Sequence, residues 1–130
     1  MSFFSKINAQ GGILRTAAQG HALRNEVIAN NIANADVPGF TARRVEFENS
    51  LRAAVSDFPR NRLVDVSGVK ATIHYQNPAF HNRLDGNNVD IEVEMVNLYQ
   101  NQMRFDTILA SIQANSQRMR SVLQQGGGGG

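Results

Sequence analysis

Between residues 91 and 123, apolar side chains recur at steps that alternate four and three: Ile91, Met95, Leu98, Gln102, Phe105, Leu109, Ile112, Ser116, Met119 and Leu123. That is the repeat of a helix that pairs along a narrow seam, as in a coiled coil. Only Gln102 and Ser116 interrupt it. A polar residue in such a seam selects register at a cost in stability, and Gln102 is assigned that role. Asp90 stands ahead of the repeat as an N-cap, with Glu92 and Glu94 in the first turn, where acids complement the positive helix end. Arg118 and Arg120 sit near the other end, where cations are favoured. The pattern predicts one helix from Asp90 to about Gln124.

A second helix is predicted from Ile13 to about Asn34. Leu14, Ala18, His21, Asn25, Ile28 and Ile32 form one stripe, and Ile13, Ala17, Gly20, Leu23 and Val27 form a neighbouring one. Two adjacent stripes make a face broad enough to touch more than one partner. Ala17, Ala18, Gly20 and Ala22 are small and allow close helix approach. Ahead of it, Phe3, Phe4 and Ile7 could add a first turn, but Gly11-Gly12 weakens a continuous helix.

The middle is poorer in large apolar residues. Phe40 to Val45 is predicted to be extended, followed by a short helix over about Glu46 to Ser56, ended by Phe58-Pro59. Leu63 to Val66 and Val69 to Tyr75 read as strands, the second placing Val69, Ala71, Ile73 and Tyr75 on one face. Ser67-Gly68 could join them as a hairpin. Asn77 to Asn88 reads as loop. The expected fold is mainly α: long N- and C-terminal helices pairing as a coiled coil, with an extended, short-strand middle. The divisions are residues 1–40 (helix and turn), 41–89 (middle segment), 90–125 (C-terminal helix) and 126–130 (flexible glycine tail).

The helix that begins at Ile13 stops in Asn30-Asn31-Ile32-Ala33-Asn34-Ala35-Asp36-Val37-Pro38-Gly39-Phe40. Pro38 cannot donate a backbone hydrogen bond and pushes Val37 out of the α region. Gly39 takes a positive φ without steric cost, so Pro38-Gly39 suits the centre of a type II turn. Asn34 and Asp36 can bond the orphan groups of the helix end. Asn30, Asn31 and Asn34 lower helix propensity just where proline and glycine alone would break the helix. They are therefore expected to order the turn or to meet another chain, with Pro38-Gly39 setting the exit direction.

This stretch resembles the N-terminal signature of the bacterial flagellar axial proteins, the rod, hook and hook-associated proteins. One departure is Val37, where that signature commonly carries Thr or Ser. Leu84-Asp85-Gly86-Asn87-Asn88-Val89-Asp90-Ile91-Glu92-Val93-Glu94-Met95 is similar to the segment leading into the C-terminal helix of the proximal rod members, whose short length the chain shares. The resemblance covers residues 14–56 and 84–124. It implies a non-enzymatic structural subunit of the basal-body rod, with its terminal helices packed into a tube wall that transmits torque and encloses an export channel. It implies a helical homo-oligomer in contact with other flagellar rod proteins, the rod-base adaptor, and the membrane-embedded ring and export gate. The implied location is the periplasmic side of the basal body, reached as an unfolded chain through the flagellar type III apparatus. No cofactor, small-molecule substrate or nucleic acid is implied.

Composition narrows the alternatives. The net charge is only +2, and eleven of the thirteen basic residues are arginines interspersed with acids. A small basic helical adaptor or nucleic-acid-binding module is the alternative reading. The basic pI favours it, and the weak charge clustering, of which Arg43-Arg44 is the densest point, counts against it. There is no cysteine, which excludes disulfides and thiol chemistry. Met1 to Lys6 lacks the features of a secretory signal, and no apolar run approaches a membrane span. His21, His74 and His81 form no metal-ligand spacing. Asp85 to Asp90 is read as turn plus helix cap rather than a calcium loop, because Val89 occupies a ligand position and the glycine is misplaced. Glu92 and Glu94 point to different faces, unlike a catalytic pair.

Overall fold

The computed structural model describes residues 3–56, 64–77 and 83–127. Two long helices dominate it: α1, Phe3–Ala33, and α3, Ile91–Gly127. Between them lie the strand β1, Arg43–Glu46, the short helix α2, Glu48–Ser56, and the strand β2, Thr72–Tyr75. Helices α1 and α3 pair antiparallel. Asn31 meets Glu94, His21 and Asn25 meet Asn101, and Asn115 reaches the carbonyl of Ile7. No described helix is long and apolar enough to cross a membrane.

Helix α1 starts earlier than its apolar stripes suggest and runs straight through Gly11-Gly12. Each glycine costs a helix interior about 1 kcal/mol, and packing outweighs that here. Gly11 is buried against α3, and a Cβ on it would lie 3.2 Å from Nδ2 of Asn115. At the other end of the chain, α3 takes in the start of the expected glycine tail, through Gly127, and residues 128–130 lie outside the described residues.

The two stripes of α1 do separate work. The first, with Ala18, His21 and Ile28 buried, faces α3. The second packs on the middle segment: Val27, Val45 and Phe47 form a core cluster flanked by Leu23 and Leu51. Gly20 makes this contact possible, because a Cβ there would come within 2.6 Å of the Phe47 ring. His21 packs edge-to-face on that ring at 5.0 Å between centroids, and the guanidinium of Arg24 lies 4.9 Å from its centre. Arg24 also bonds the carbonyl of Val45 at 2.9 Å and both carboxylate oxygens of Glu48.

Those hydrogen bonds from Arg24 hold the Glu48 carboxyl at about 2, below its ordinary 4.5. A carboxyl lowered by folding adds stability that is present above pH 4.5 and is lost as the pH falls towards 2. The melting temperature is therefore expected to drop through that window, and Glu48→Gln should flatten the drop. Glu48 is partly exposed, so solvent keeps the effect modest. An unchanged pH profile in the Gln variant would show the bridge contributes nothing.

The strand pairing differs from the hairpin read in the sequence. Strand β2 pairs antiparallel with β1, with Arg43 opposite Tyr75 and Glu46 opposite Thr72. Ser67-Gly68 does form a turn, closed by Val69 N–H on the carbonyl of Val66 at 3.1 Å, but Val64 to Val66 is not a strand. Leu63 lies outside the described residues. The reason is anchorage: β1 is fixed to α1 by buried Val45 and by the Asn31 side chain, so it presents a ready edge, which residues 64–66 do not. Strand β2 keeps only Thr72–Tyr75 of the stretch read from Val69 to Tyr75, and all four of its residues are exposed, the apolar Ile73 and Tyr75 included.

The seam of α3 is also rotated within the chain. Leu98, Phe105, Ile112 and Met119 are half-buried as expected, and so is Met95. Ile91, Leu109 and Leu123 are 46%, 43% and 59% exposed, and Gln102 and Ser116 are exposed too. The residues that complete the intrachain repeat are Glu94, Asn101, Ile108, Asn115 and Val122. Two seams share the same four apolar residues, and three members of the one α1 covers are polar, which a reading of apolar periodicity passes over. Gln102 still reaches α1, accepting from Nδ2 of Asn25 at 2.9 Å, but from the edge of the contact.

Candidate functional site

The stretch from Asn30 to Phe40 is the end of α1 and its exit turn. The helix closes at Ala33, and Asn34 N–H bonds the carbonyls of Asn30 and Asn31, both at 3.2 Å. Val37 to Phe40 form the turn: Phe40 N–H bonds the carbonyl of Val37 at 3.2 Å and Gly39 has φ +74°, the geometry a Pro-Gly type II turn requires. The three asparagines all have partners. Asn34 Nδ2 donates to the carbonyl of Asn30 at 2.7 Å, and Oδ1 of Asn30 accepts from the guanidinium of Arg43 at 2.6 Å. Asn31 is fully buried; its Oδ1 accepts from Arg43 N–H at 3.0 Å and its Nδ2 donates to the Arg43 carbonyl at 2.9 Å. Its amide thus serves Arg43 as a neighbouring strand would. Ile32 is half-buried and Ala33 exposed, while Ala35 packs with Ala42, Val89 and Phe40. Asp36, Val37, Pro38 and Gly39 are exposed, and the Asp36 carboxylate has no partner among the described residues.

The segment before α3 wraps this turn. Asn87 is fully buried, and its Nδ2 lies 3.0, 3.0 and 2.8 Å from the carbonyls of Asn34, Ala35 and Val37. Its Oδ1 accepts from Val89 N–H at 2.8 Å. The Asn87 amide thus adds to the local bonds at the end of α1, where Val37 N–H and Phe40 N–H already reach the carbonyls of Asn34 and Val37. Gly39 N–H bonds the carbonyl of Asp85 at 2.8 Å, and Asn88 Oδ1 accepts from Ala42 N–H at 2.6 Å. Arg83 donates to the carbonyl of Ala35 at 2.6 Å and pairs with Asp85 at 2.9 Å. Gly86, at φ +78°, packs against this turn: a Cβ on it would lie in ordinary contact, 3.5 Å from the Cα of Gly39, so it is the positive φ that calls for glycine. Asp90 caps α3 as expected, its Oδ1 accepting from Glu92 and Val93 N–H.

Gly39 itself has open space around a notional Cβ, so replacing it costs backbone strain alone. Gly39→Val should destabilise the fold by about 1–3 kcal/mol, and Gly39→Asn by much less, since asparagine tolerates positive φ. Thermal melts of the two variants test this, and equal midpoints would show that the φ does not matter.

Along α3, polar contacts recur at one heptad position. Buried Glu94 accepts from Nδ2 of Asn31 at 3.2 Å and lies 2.5 Å from the guanidinium of Arg44. Seven residues on, Asn101 accepts from Nδ1 of His21 at 2.6 Å and donates to the His21 carbonyl and to Asn25 Oδ1, both at 2.7 Å. Fourteen further, Asn115 donates to the carbonyl of Ile7 at 3.1 Å. These pairings form a ladder that ties α1 to α3 at three levels, and Gln102, the register residue expected from the sequence, adds a contact through Asn25 from the edge. His21 is a packing and hydrogen-bonding residue, His74 is exposed, and His81 lies outside the described residues.

A family model described as "Flagella basal body rod protein" matches residues 13–41, which is α1 from Ile13 through the turn. The "Flagellar basal body rod protein FlgB" of Proteus mirabilis (strain HI4320) is 30% identical over 117 residues, covering 79% of this chain and 85% of the relative. The FlgB of Bacillus subtilis (strain 168) is 28% identical over 120 residues, 87% of this chain and 92% of the relative. That of Borreliella burgdorferi is 35% identical over 109 residues, 72% of this chain and 79% of the relative. The chain belongs to the FlgB family of flagellar basal body rod proteins.

Family membership gives the turn and the ladder a context that local chemistry alone does not. FlgB relatives match across most of their own length, so the likeness extends well beyond the 29-residue stretch recognised by the family model. The adaptor or nucleic-acid alternative finds no support among them. Two of the arginines behind that reading, Arg24 and Arg44, form ion pairs with Glu48 and Glu94.

Proposed function

We propose that this chain is a structural subunit of the proximal part of the flagellar rod, in which α1 and α3 of many copies pack as a helical tube. The observation that carries the reading is the match to FlgB proteins over 85% and 92% of their length. The distribution of apolar surface supports it. Ile91, Leu109 and Leu123 have the spacing of a helix seam, yet the chain's own α1 leaves them uncovered, as it does Tyr99 and Met103. An unfilled seam on a helix already paired on another face fits a subunit whose packing is completed by neighbours.

In that role the locked turn fixes the angle at which the middle segment leaves the helical pair, and the ladder keeps α1 and α3 from sliding under load. Other rod proteins, the rod-base adaptor and the membrane-embedded ring and export gate are the neighbours this reading gives the subunit. It places the subunit on the periplasmic side of the basal body after unfolded export through the type III apparatus, with the assembled tube carrying torque outside and export within.

Leu109→Asp tests it. Because Leu109 is exposed within the chain, a charge there should leave the chain's helix content intact. Buried between copies, the same charge would be desolvated or would hold the helices apart. Cells carrying it in place of the wild-type gene should fail to build rods and to swim, and normal swimming would remove Leu109 from any interface between chains.

A further inference from the structure

Beside the junction of α1, β1 and α3 lies a cavity of about 230 Å³ lined by four arginines, Arg24, Arg43, Arg44 and Arg104, with Asn97 and Gln100 beside them. No acid lines it. Two of the four charges are answered nearby: Arg24 pairs with Glu48 and Arg44 with Glu94. The other two are not. Arg43 bonds only the neutral amide of Asn30, and its Nε is buried without a hydrogen-bond partner. Arg104 has no hydrogen bond or ion pair among the described residues. A buried, unsatisfied N–H on an arginine is uncommon and calls for an acceptor. Two uncompensated arginines lining one cavity call for an anionic one.

We infer that this cavity receives a carboxylate side chain from a second copy of the same chain. The inference rests on the rod-subunit reading above. Val27, Ile28 and Val45 supply apolar wall, which suits the methylenes of an acidic side chain and is of no use to a free inorganic anion. The chain also displays the complementary charge on its own surface. Glu26, Asp36 and Glu92 are exposed and have no side-chain partner among the described residues. A contact made by every copy with the next needs both halves on one sequence, and this sequence has both. The cavity would then couple neighbours at the point where β1 is tied to α1 and α3.

Charge reversal and its reversion test the idea in motile cells that carry the gene as their sole copy. Arg104→Glu should cut the swimming-halo expansion rate at least tenfold, Arg104→Gln should have a smaller effect and Arg104→Lys the least. Arg104 makes no hydrogen bond or ion pair among the described residues, so the variant should be exported in normal amount. An immunoblot of the periplasmic fraction checks that, and a drop there equal to the loss of motility would overturn the inference by making the defect one of folding or export. Selection for recovered swimming should return acid-to-basic changes in this same gene, at Glu26, Asp36 or Glu92. Full motility of Arg104→Glu would overturn the inference, as would suppressors confined to other genes or to non-acidic positions. None of these outcomes touches the rod assignment, which stands or falls on Leu109→Asp.

Discussion

Asn87→Ala is expected to loosen the exit turn of α1 from the segment that leads into α3, at a cost of about 1–3 kcal/mol, the penalty of leaving the buried N–H of Val89 unpaired. The Asn87 side chain serves three carbonyls, of Asn34, Ala35 and Val37, and the N–H of Val89, and it is wholly buried. Each of the three carbonyls keeps a second donor, Val37 N–H for Asn34, Arg83 for Ala35 and Phe40 N–H for Val37, so the full loss falls on the Val89 N–H. Asn87→Asp separates hydrogen bonding from shape. It keeps an oxygen for Val89 N–H but turns the donor into a second oxygen facing three carbonyl oxygens. The Asp variant should be the less stable of the two, although it is closer in size to asparagine. Urea melts followed by circular dichroism give the order. An Asp variant as stable as wild type would mean that the amide does not cap the helix end. In cells, both substitutions should impair swimming more than their loss of stability alone would suggest, because the turn also directs the middle segment.

The outlines of this architecture can be read from periodicity, and its closest contacts cannot. Helix α3 and its Asp90 cap follow from spacing and cap chemistry, and the type II turn at Pro38-Gly39 follows from the φ demands of two residue types. The second stripe of α1 predicts a second contact, which the structure fills with Val45 and Phe47. Long-range polar pairing is not legible in the same way. Asn87 reads as loop, because an asparagine next to glycine is turn chemistry whether or not its amide reaches a helix end 50 residues away. Gly11 reads as a break, because propensity says nothing about which neighbour comes close enough to need the missing Cβ. The seam of α3 is read one position off because the residues that α1 covers include Glu94, Asn101 and Asn115, and their burial is tolerable only with partners supplied from residues 7–44. One signal was available: Glu94, Asn101 and Asn115 fall on a single heptad position, a regularity unlike that of a solvated face.

The pairing of Arg44 with Glu94 should show an asymmetry that separates a buried charge from a half-buried one. Glu94 is almost wholly buried, whereas the Arg44 side chain keeps 28% of its exposure and also bonds Oε1 of Gln76 at 2.8 Å. Removing the arginine strands a carboxylate with only the Asn31 amide for company, and breaking a buried pair in that way costs about 3–5 kcal/mol. Removing the charge from the other side is gentler. Glu94→Gln keeps an oxygen for Asn31 and leaves Arg44 with Gln76 and solvent, so it should cost about 1.5–3 kcal/mol, the worth of one charge-assisted hydrogen bond. Arg44→Met should therefore be the more damaging single change, and adding Glu94→Leu to it should recover most of the loss, because an apolar pair of similar volume satisfies the site without charge. A double-mutant cycle on melting free energies measures this directly. Equal costs for the two single changes, or strict additivity in the double, would show that the pair is screened by water and that the ladder's first rung rests on Asn31 alone. If the asymmetry holds but the double variant still cannot build a rod, the charge pair serves assembly as well as the fold, since Arg44 also borders the cavity proposed to receive a neighbour's carboxylate.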